Sequence, residues 1–440
     1  MGFTVTEEQQ ALREVVRSFT SKFSTEEQVR ELMDADAAFD PAAWSALSEQ
    51  IGAPALVVPE RFGGAGFGFA ELGVVLEETG RALLAAPLLS SSVLATYSLL
   101  LAGDDALAGE LLPGLAEGAS LGTLAASDDD LVIAPTGRTL AREDADGWRV
   151  DGAKAYVLDA VCADFVIVAA QTPSGPSLFV VDLPRPEVAV TPLTAMDLTR
   201  SFARVEFTEA PARLLGQPGS ASEILEQVAD IASVALACEQ VGAAAEVLER
   251  TVEYLKVRTQ FGRPIGSFQA LKHRCADMLV ELESARSAAT YASTAIHEGS
   301  ADLPQAAAIA KTYCSEAFYH IAAESIQMHG GIGFTWEHHA HLYFKRAKAS
   351  ELLFGSPAHH RARLEQLIGL VPDTDEVDHT TRLHGRDADE LGGGTGGELL
   401  LGRRRAVVGL LRISAHRRLL FRSSLMCPLN VRVGANSPSL

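Results

Sequence analysis

The sequence predicts an α+β multidomain protein: a helical N-terminal domain, a middle antiparallel β domain and a C-terminal four-helix bundle. Three observations predict it. Apolar residues recur three and four apart up to about residue 112. Short β-branched runs, cut by Gly, Pro and Asp, then fill the stretch to about residue 216. Long alanine-rich periodic segments follow as far as about residue 370. The expected domains are 1–118, 119–216 and 217–370, with a tail over 371–440.

The elements follow in order. TEEQQALREVVRSFTSKF opens with Thr6 as N-cap and two acids in the first turn, so a helix starts there. In LVVPERFGGAGFGFAELGVVLEETGRALL, Pro59 and the glycines mark a loop, and a helix restarts from Glu71. GWRVDGAKAYVLDA, DFVIVAAQT, SLFVVDLP, VAVTPL and ARVEFTEAPARLL read as strands. Helical patterns at 221–257, 267–298, 302–329 and 337–353 suit a bundle with large buried faces. The tail is a different text. VPDTDEVDHTTRLHGRDADELGGGTGGELL is polar and glycine-rich and reads as disordered. From Leu399 onward there are eight arginines and no Asp or Glu. A basic membrane-surface helix has that composition; the reading adopted is a disordered extension, or residues of a shifted reading frame, with no role.

Composition bounds the function. A chain of 440 residues has room for two or three domains. Its 47% hydrophobic and 21% charged residues are ordinary for a globular protein. A net charge of -20 argues against a nucleic-acid partner. No uncharged apolar run of bilayer length stands out, and MGFTVTEEQQALREVV is a charged amphipathic start rather than a signal peptide. Cys162, Cys238, Cys275, Cys314 and Cys427 have no CxxC spacing. They read as reduced thiols of a cytoplasmic protein, not as a disulfide framework or zinc site.

Two segments carry candidate chemistry. In RTQFGRPIGSFQ (258–269), Arg258 sits where a helix ends. It is a suitable C-terminal cation, and its planar guanidinium also suits a pyrophosphate. In QMHGGIGFTWEHHAHLYFKRAKASELLFGS (327–356), Gly330 and Gly331 break a helix and also let backbone amides approach a ligand. His338 and His341, three apart, share a helix face as metal ligands would. No acid–histidine zinc motif surrounds them, and His359 and His360 lie beyond a proline, so no metal is expected.

The helical–β–helical order, with these two segments, resembles the acyl-CoA dehydrogenase family from about residue 5 to about residue 370. The resemblance implies FAD as cofactor, an acyl-CoA substrate, an oligomer and electron-transfer flavoprotein as acceptor. In the family a carboxylate removes the α-proton, a hydride leaves the β-carbon for the flavin, and a trans-2-enoyl-CoA results. By resemblance Arg258 pairs with the FAD pyrophosphate, Phe261 packs near it, and Gln269 approaches the adenine end. Gln327, Gly330 and Gly331 match the family's Q-x-x-G-G segment, which also touches FAD.

Other parts of the family pattern are missing. The slot of the usual glutamate, before a Gly-Ser turn, holds Phe354. The alternative slot on the first helix of the C-terminal domain holds Ala232, followed by Ser233. No catalytic residue is therefore assigned; Asp230, Glu239 and Glu351 are the nearby acids. Where the family has a T-E-P-G-x-G-S loop, this chain reads LGTLAASDDDLVI, and Leu158 replaces a threonine two residues after the aromatic Tyr156. In homotetrameric members the missing set serves the subunit's own flavin, and the retained set reaches the neighbour's. The resemblance thus implies the base-lacking subunit of a heteromeric α2β2 acyl-CoA dehydrogenase, of the type in actinobacterial steroid side-chain degradation, with a homologous glutamate-bearing partner. Two alternatives stay open: a self-sufficient homo-oligomer with a non-standard base, and a non-enzymatic scaffold with vestigial FAD contacts.

Overall fold

The computed structural model describes residues 6–35, 37–135 and 137–370. The expected tail, 371–440, lies outside the described residues, as does Cys427.

The N-terminal helices are α1 (Glu7–Phe23), α2 (Glu26–Asp34), α3 (Pro41–Ala46), α4 (Phe69–Arg81), α5 (Thr96–Leu101) and α6 (Asp105–Glu117). Thr6 caps α1 as the sequence suggests. Its hydroxyl accepts from the Gln9 amide at 3.1 Å, and the Gln9 side chain accepts from the Thr6 amide at 3.3 Å. Thr25 and Gln28 repeat the arrangement on α2. Helix α4 starts at Phe69, two residues before the expected Glu71, because Phe69 is buried and packs inward.

The middle region holds β1 (Gly122–Ala125), β2 (Leu140–Asp144), β3 (Gly147–Leu158), β4 (Phe165–Thr172), β5 (Gly175–Asp182), β6 (Val188–Pro192) and β7 (Phe202–Leu215). Antiparallel pairs β4–β5, β5–β7, β7–β3 and β3–β2 run around the sheet, and β2 returns to β4 at Leu140 opposite Gln171. The enclosed core includes Val150, Val168, Phe179, Val205 and Phe207. The antiparallel expectation needs correction at two pairings: β1 runs parallel to β4, with Thr123 opposite Val166, and the β2–β4 pairing at Leu140 is parallel too. All four residues of β1 are buried, so it carries no polar alternation by which sequence could reveal it.

Beyond it come α7 (Ala221–Val257), the hairpin strands β8 (Thr259–Gln260) and β9 (Arg263–Pro264), α8 (Gln269–His297), α9 (Leu303–His329), α10 (Ala340–Leu352) and α11 (Pro357–Leu367). Helix α7 has the length and apolarity of a membrane span, which the sequence reading did not single out. Of its most apolar window, 94% is buried inside the protein, so it is the central helix of the bundle. It crosses α4 closely. A Cβ on Gly242 would lie 1.7 Å from the Glu77 carbonyl oxygen, and one on Gly80 would lie 2.3 Å from that of Glu239. Helix α8 starts later than position 267 because Ile265–Ser267 form a 3-10 turn. The region has five helices rather than four, since Ser356 caps α11 by accepting from the His359 amide at 3.3 Å.

Candidate functional site

Helix α7 ends where Arg258 begins the RTQFG segment. The Arg258 amide donates to the Tyr254 carbonyl at 2.9 Å, and its own carbonyl accepts from Ile265 at 2.8 Å. The β8–β9 hairpin turns through Phe261 (φ 54°) and Gly262 (φ 74°), and leaves the Phe261 ring 89% exposed. Helix α9 ends at His329, and Gly330 takes φ 65° as the chain leaves it. Tyr254 joins these two ends: its hydroxyl donates to the His329 carbonyl at 3.3 Å, and its ring centroid lies 4.4 Å from that of His329. The structure therefore brings the two sequence segments together at one end of the bundle. Arg258, Phe261, Gln269, Gln327, Gly330 and Gly331 are all exposed. Gly330 and Gly331 have nothing within 4 Å of where a Cβ would stand, so their backbone faces open space. Val257, Ile332, Phe334 and Trp336 expose apolar surface in the same segments. Exposed donors, open glycine backbone and a guanidinium fit the phosphate-bearing part of a dinucleotide.

The base turn is built differently. Phe354 and Gly355 both take positive φ, 60° and 101°. The Phe354 side chain is buried. Its amide donates to the Leu131 carbonyl at 2.8 Å, and its carbonyl accepts from His360 Nε2 at 2.9 Å. Phe354, with Leu94, Leu124, Ile133, Tyr156 and Leu158, leaves a cavity of about 40 Å³. Small-molecule sites take roughly 300–1,000 Å³, so the space beside Phe354 is far smaller than such a site. Lys311 fixes this turn from beneath. It donates to the carbonyls of Ser350, Glu351 and Gly355 at 3.0, 3.2 and 3.1 Å. Burial pulls its ammonium down to about 7, against the raising effect of Glu351. Ala232, the other slot, is fully buried, and so is the neighbouring Ser233.

The loop after β1 is likewise turned to a structural use. Asp128 accepts from Lys154 Nζ and from the Thr139 hydroxyl, at 2.8 and 3.0 Å. Lys154 Nζ also donates to the Ala126 carbonyl at 2.8 Å. Asp130 accepts from the Ser127 hydroxyl and the Val132 amide, both at 2.8 Å. Asp129 pairs with Arg138. The loop's three carboxylates are thus held by Lys154, Thr139, Arg138 and the loop's own donors. Leu158 is buried, and its carbonyl accepts from Thr123 at 2.6 Å.

The three candidate acids are all engaged. Asp230 is buried and gripped at both oxygens by Arg363. Glu239 accepts from Arg200 and Arg346 at 2.6 and 2.9 Å. Burial by itself would raise its carboxyl, yet the two guanidiniums outweigh that and hold it below the ordinary range. Glu351 pairs with Lys348 at 2.8 Å on the same helix.

The histidines group in a way the spacing did not suggest. His341 turns away: its Nε2 is 2.9 Å from the Trp336 carbonyl, and its ring stacks on Trp336 at 4.6 Å. His338 instead meets His339 and His329, with one nitrogen of each within 4.8 Å of the others. Sequence reasoning missed His329 because it stands on the preceding helix, across the glycine turn.

Two family models match the chain: "Acyl-CoA dehydrogenase, N-terminal domain" over residues 6–119 and "Acyl-CoA dehydrogenase, C-terminal domain" over residues 223–368. Acyl-CoA dehydrogenase IpdE2 of Mycobacterium tuberculosis is 40% identical over 370 residues, spanning 84% of this chain and 100% of its own. IpdE2 of Mycolicibacterium smegmatis is 39% identical over 364 residues, 82% of this chain and 99% of its own. Among solved structures, a variant of the Tcur3481-Tcur3483 steroid ACAD shares 33% identity and a TM-score of 0.76, covering 83% of this chain and 99% of that one. The ChsE4-ChsE5 complex from Mycobacterium tuberculosis shares 30% identity and a TM-score of 0.77, covering 84% and 100%. With this fold and this identity across the whole of a relative, the chain belongs to the acyl-CoA dehydrogenase family, oxidoreductases that use FAD.

Proposed function

We propose that this chain is the base-lacking subunit of a heteromeric acyl-CoA dehydrogenase, and that it clamps a FAD shared with a glutamate-bearing partner. One contrast carries the reading. The turn that presents the family base holds Phe354 in a cavity of about 40 Å³, while Arg258, Phe261, Gln269, Gln327, Gly330 and Gly331 stand exposed. The likeness to the ChsE4-ChsE5 complex and to a steroid ACAD supports a heteromer acting on acyl-CoA intermediates of steroid degradation.

FAD, when bound, would supply the hydride acceptor for the acyl β-carbon. Arg258 would neutralise its pyrophosphate, Gly330 and Gly331 would offer backbone to it, and Gln269 would lie toward the adenine end. Phe261 and the apolar residues around it exclude water at the interface. The partner's glutamate removes the α-proton, since Asp230, Glu239 and Glu351 are all committed to cations. Electron-transfer flavoprotein is the acceptor in this reading.

The test is purification of this chain alone and co-expressed with a glutamate-bearing homologue, followed by flavin spectra and anaerobic bleaching with acyl-CoAs. The expected result is FAD and turnover only in the pair. Tight FAD with turnover by the chain alone establishes a homo-oligomer instead, and absence of FAD from both preparations establishes a scaffold.

A further inference from the structure

We propose that His329, His338 and His339 form a binding site for a zinc-type divalent metal ion, placed to lock the loop that carries Gly330 and Gly331. Metal binding by the three imidazoles does not itself depend on the cofactor reading of that loop.

The argument starts from the chain path. His329 is the last residue of α9, and His338 and His339 immediately precede α10. The intervening turn brings three imidazoles together, with one nitrogen of each inside a 4.8 Å circle. The ring centroids of His329 and His338 are 4.5 Å apart, and those of His338 and His339 are 4.2 Å apart. Three histidines with an open fourth position make a common zinc set.

The surroundings prepare the nitrogens for a metal. His329 Nδ1 lies 2.8 Å from the Ser325 carbonyl, an acceptor only, so Nδ1 carries the proton and Nε2 keeps its lone pair. A backbone carbonyl behind a ligating imidazole is the usual way of fixing its tautomer. His339 Nε2 is buried and has no hydrogen-bond partner, a cost that coordination would remove. The Glu26 carboxylate lies 4.0 Å from the opposite nitrogen, Nδ1. His338 Nδ1 accepts a long hydrogen bond, 3.2 Å, from the Ala340 amide. Coordination through Nε2 would move the ring proton to Nδ1 and give up that one bond. A cavity of about 350 Å³ beside His339, lined also by Glu26, Arg81, Glu246 and Tyr343, gives an ion a way in.

Several cations oppose a purely charge-bound ion: Arg17, Arg81 and Arg250 all line that cavity. Arg30 and Arg250 stand nearby, paired with Glu26 and Glu246 at 2.8 and 2.5 Å. Calcium and magnesium need several oxygen ligands, and the cluster offers nitrogens. A borderline metal that bonds well to imidazole is the class that fits. Held there, it would staple both ends of the 330–339 loop across the glycine turn.

The experiment uses the full chain, stripped with chelator and then titrated with Zn²⁺ in competition with a chromophoric chelator. Expected is one equivalent of Zn²⁺, with affinity lower in His338→Ala and His339→Ala by more than the roughly 10–100-fold typical of losing a supporting contact. His341→Ala, whose ring faces Trp336, should bind as wild type does. Equal Zn²⁺ affinity in His338→Ala and wild type, or no uptake by wild type, overturns the site. Should the alanine variants fail to fold, Co²⁺ added to the wild-type chain decides: visible absorption of low-coordinate, imidazole-bound Co²⁺ supports the site, and its absence overturns it.

Discussion

The Phe354 amide donates to the Leu131 carbonyl at 2.8 Å, tying the turn after α10 to the loop after β1. By the family resemblance these are the slots of the base and of the flavin loop. Here they bind each other. The Phe354 ring fills the space between them, and Lys311 secures the turn from the opposite side. In the base-lacking reading, the base slot and the flavin-loop slot are thus packed against each other.

Phe354→Glu should therefore not restore activity. The new carboxyl would enter a cavity of about 40 Å³ that Asp130 also lines and that has no cation among its lining residues, so it would stay protonated or destabilise the turn. Anaerobic bleaching of added FAD by acyl-CoA should remain at background. Phe354→Ala should cost about 3–5 kcal/mol in denaturant unfolding, the usual range for a buried phenyl. Substantial bleaching by the glutamate variant alone would show that the closed site opens.

Glu239→Gln separates a hidden base from a structural acid. Arg346 is 3% exposed and relies on Glu239 and Asp197 for charge. Removing one carboxylate leaves a buried guanidinium underpaired, and about 3 kcal/mol or more of stability should go with it. In the pair, the chemical step should change little. Loss of turnover with unchanged urea midpoint would make Glu239 the base and remove the need for a partner's.

Arg258→Ala should act in the opposite way, on cofactor and not on folding. The residue is exposed at the end of α7, so the melting temperature of the isolated chain should stay near wild type. FAD retention by the pair should weaken roughly tenfold to a hundredfold, the equivalent of about 1.5–3 kcal/mol for a charge-assisted contact. FAD content after dialysis measures it, and unchanged retention would take Arg258 out of the site.

Much of this was legible in residues one at a time. The apolar period placed α7 at 221–257, and Thr6 marked its helix start, because both signals are local. The absence of an acid at position 354 was also plain in sequence. What sequence could not show was where the phenyl ring goes, since closure of the cavity needs Leu94, Leu131 and Leu158 from three separate elements. Nor could spacing find the histidine cluster: His338 and His341 share a helical period, yet α10 starts only at Ala340, so His338 sits in the turn and faces His329. Helix α11 had its signal in Ser356 and Pro357, a cap followed by proline at the first position.

Lys311 gives the closed site a pH signature. Its folded value of about 7 lies below the ordinary 10.5, because burial disfavours the charged form. The sign follows from proton counting. Between about 7 and 10.5 the unfolded chain holds a proton on this lysine that the folded chain has lost, so unfolding takes up protons. This group therefore adds stability as pH rises through that window and withdraws it as pH falls toward 7. Below about 7 both states are charged and the contribution is flat. Lys311→Met removes the proton but also strips donors from the carbonyls of Ser350, Glu351 and Gly355. The variant should be less stable than wild type at pH 9, and the gap should narrow at pH 7, where the wild-type ammonium is charged at its own cost. Melting temperatures of the two proteins across that range measure the gap. A gap that stays constant, or widens toward pH 7, would mean that Lys311 keeps its proton in the fold and that its three carbonyl partners outweigh its burial.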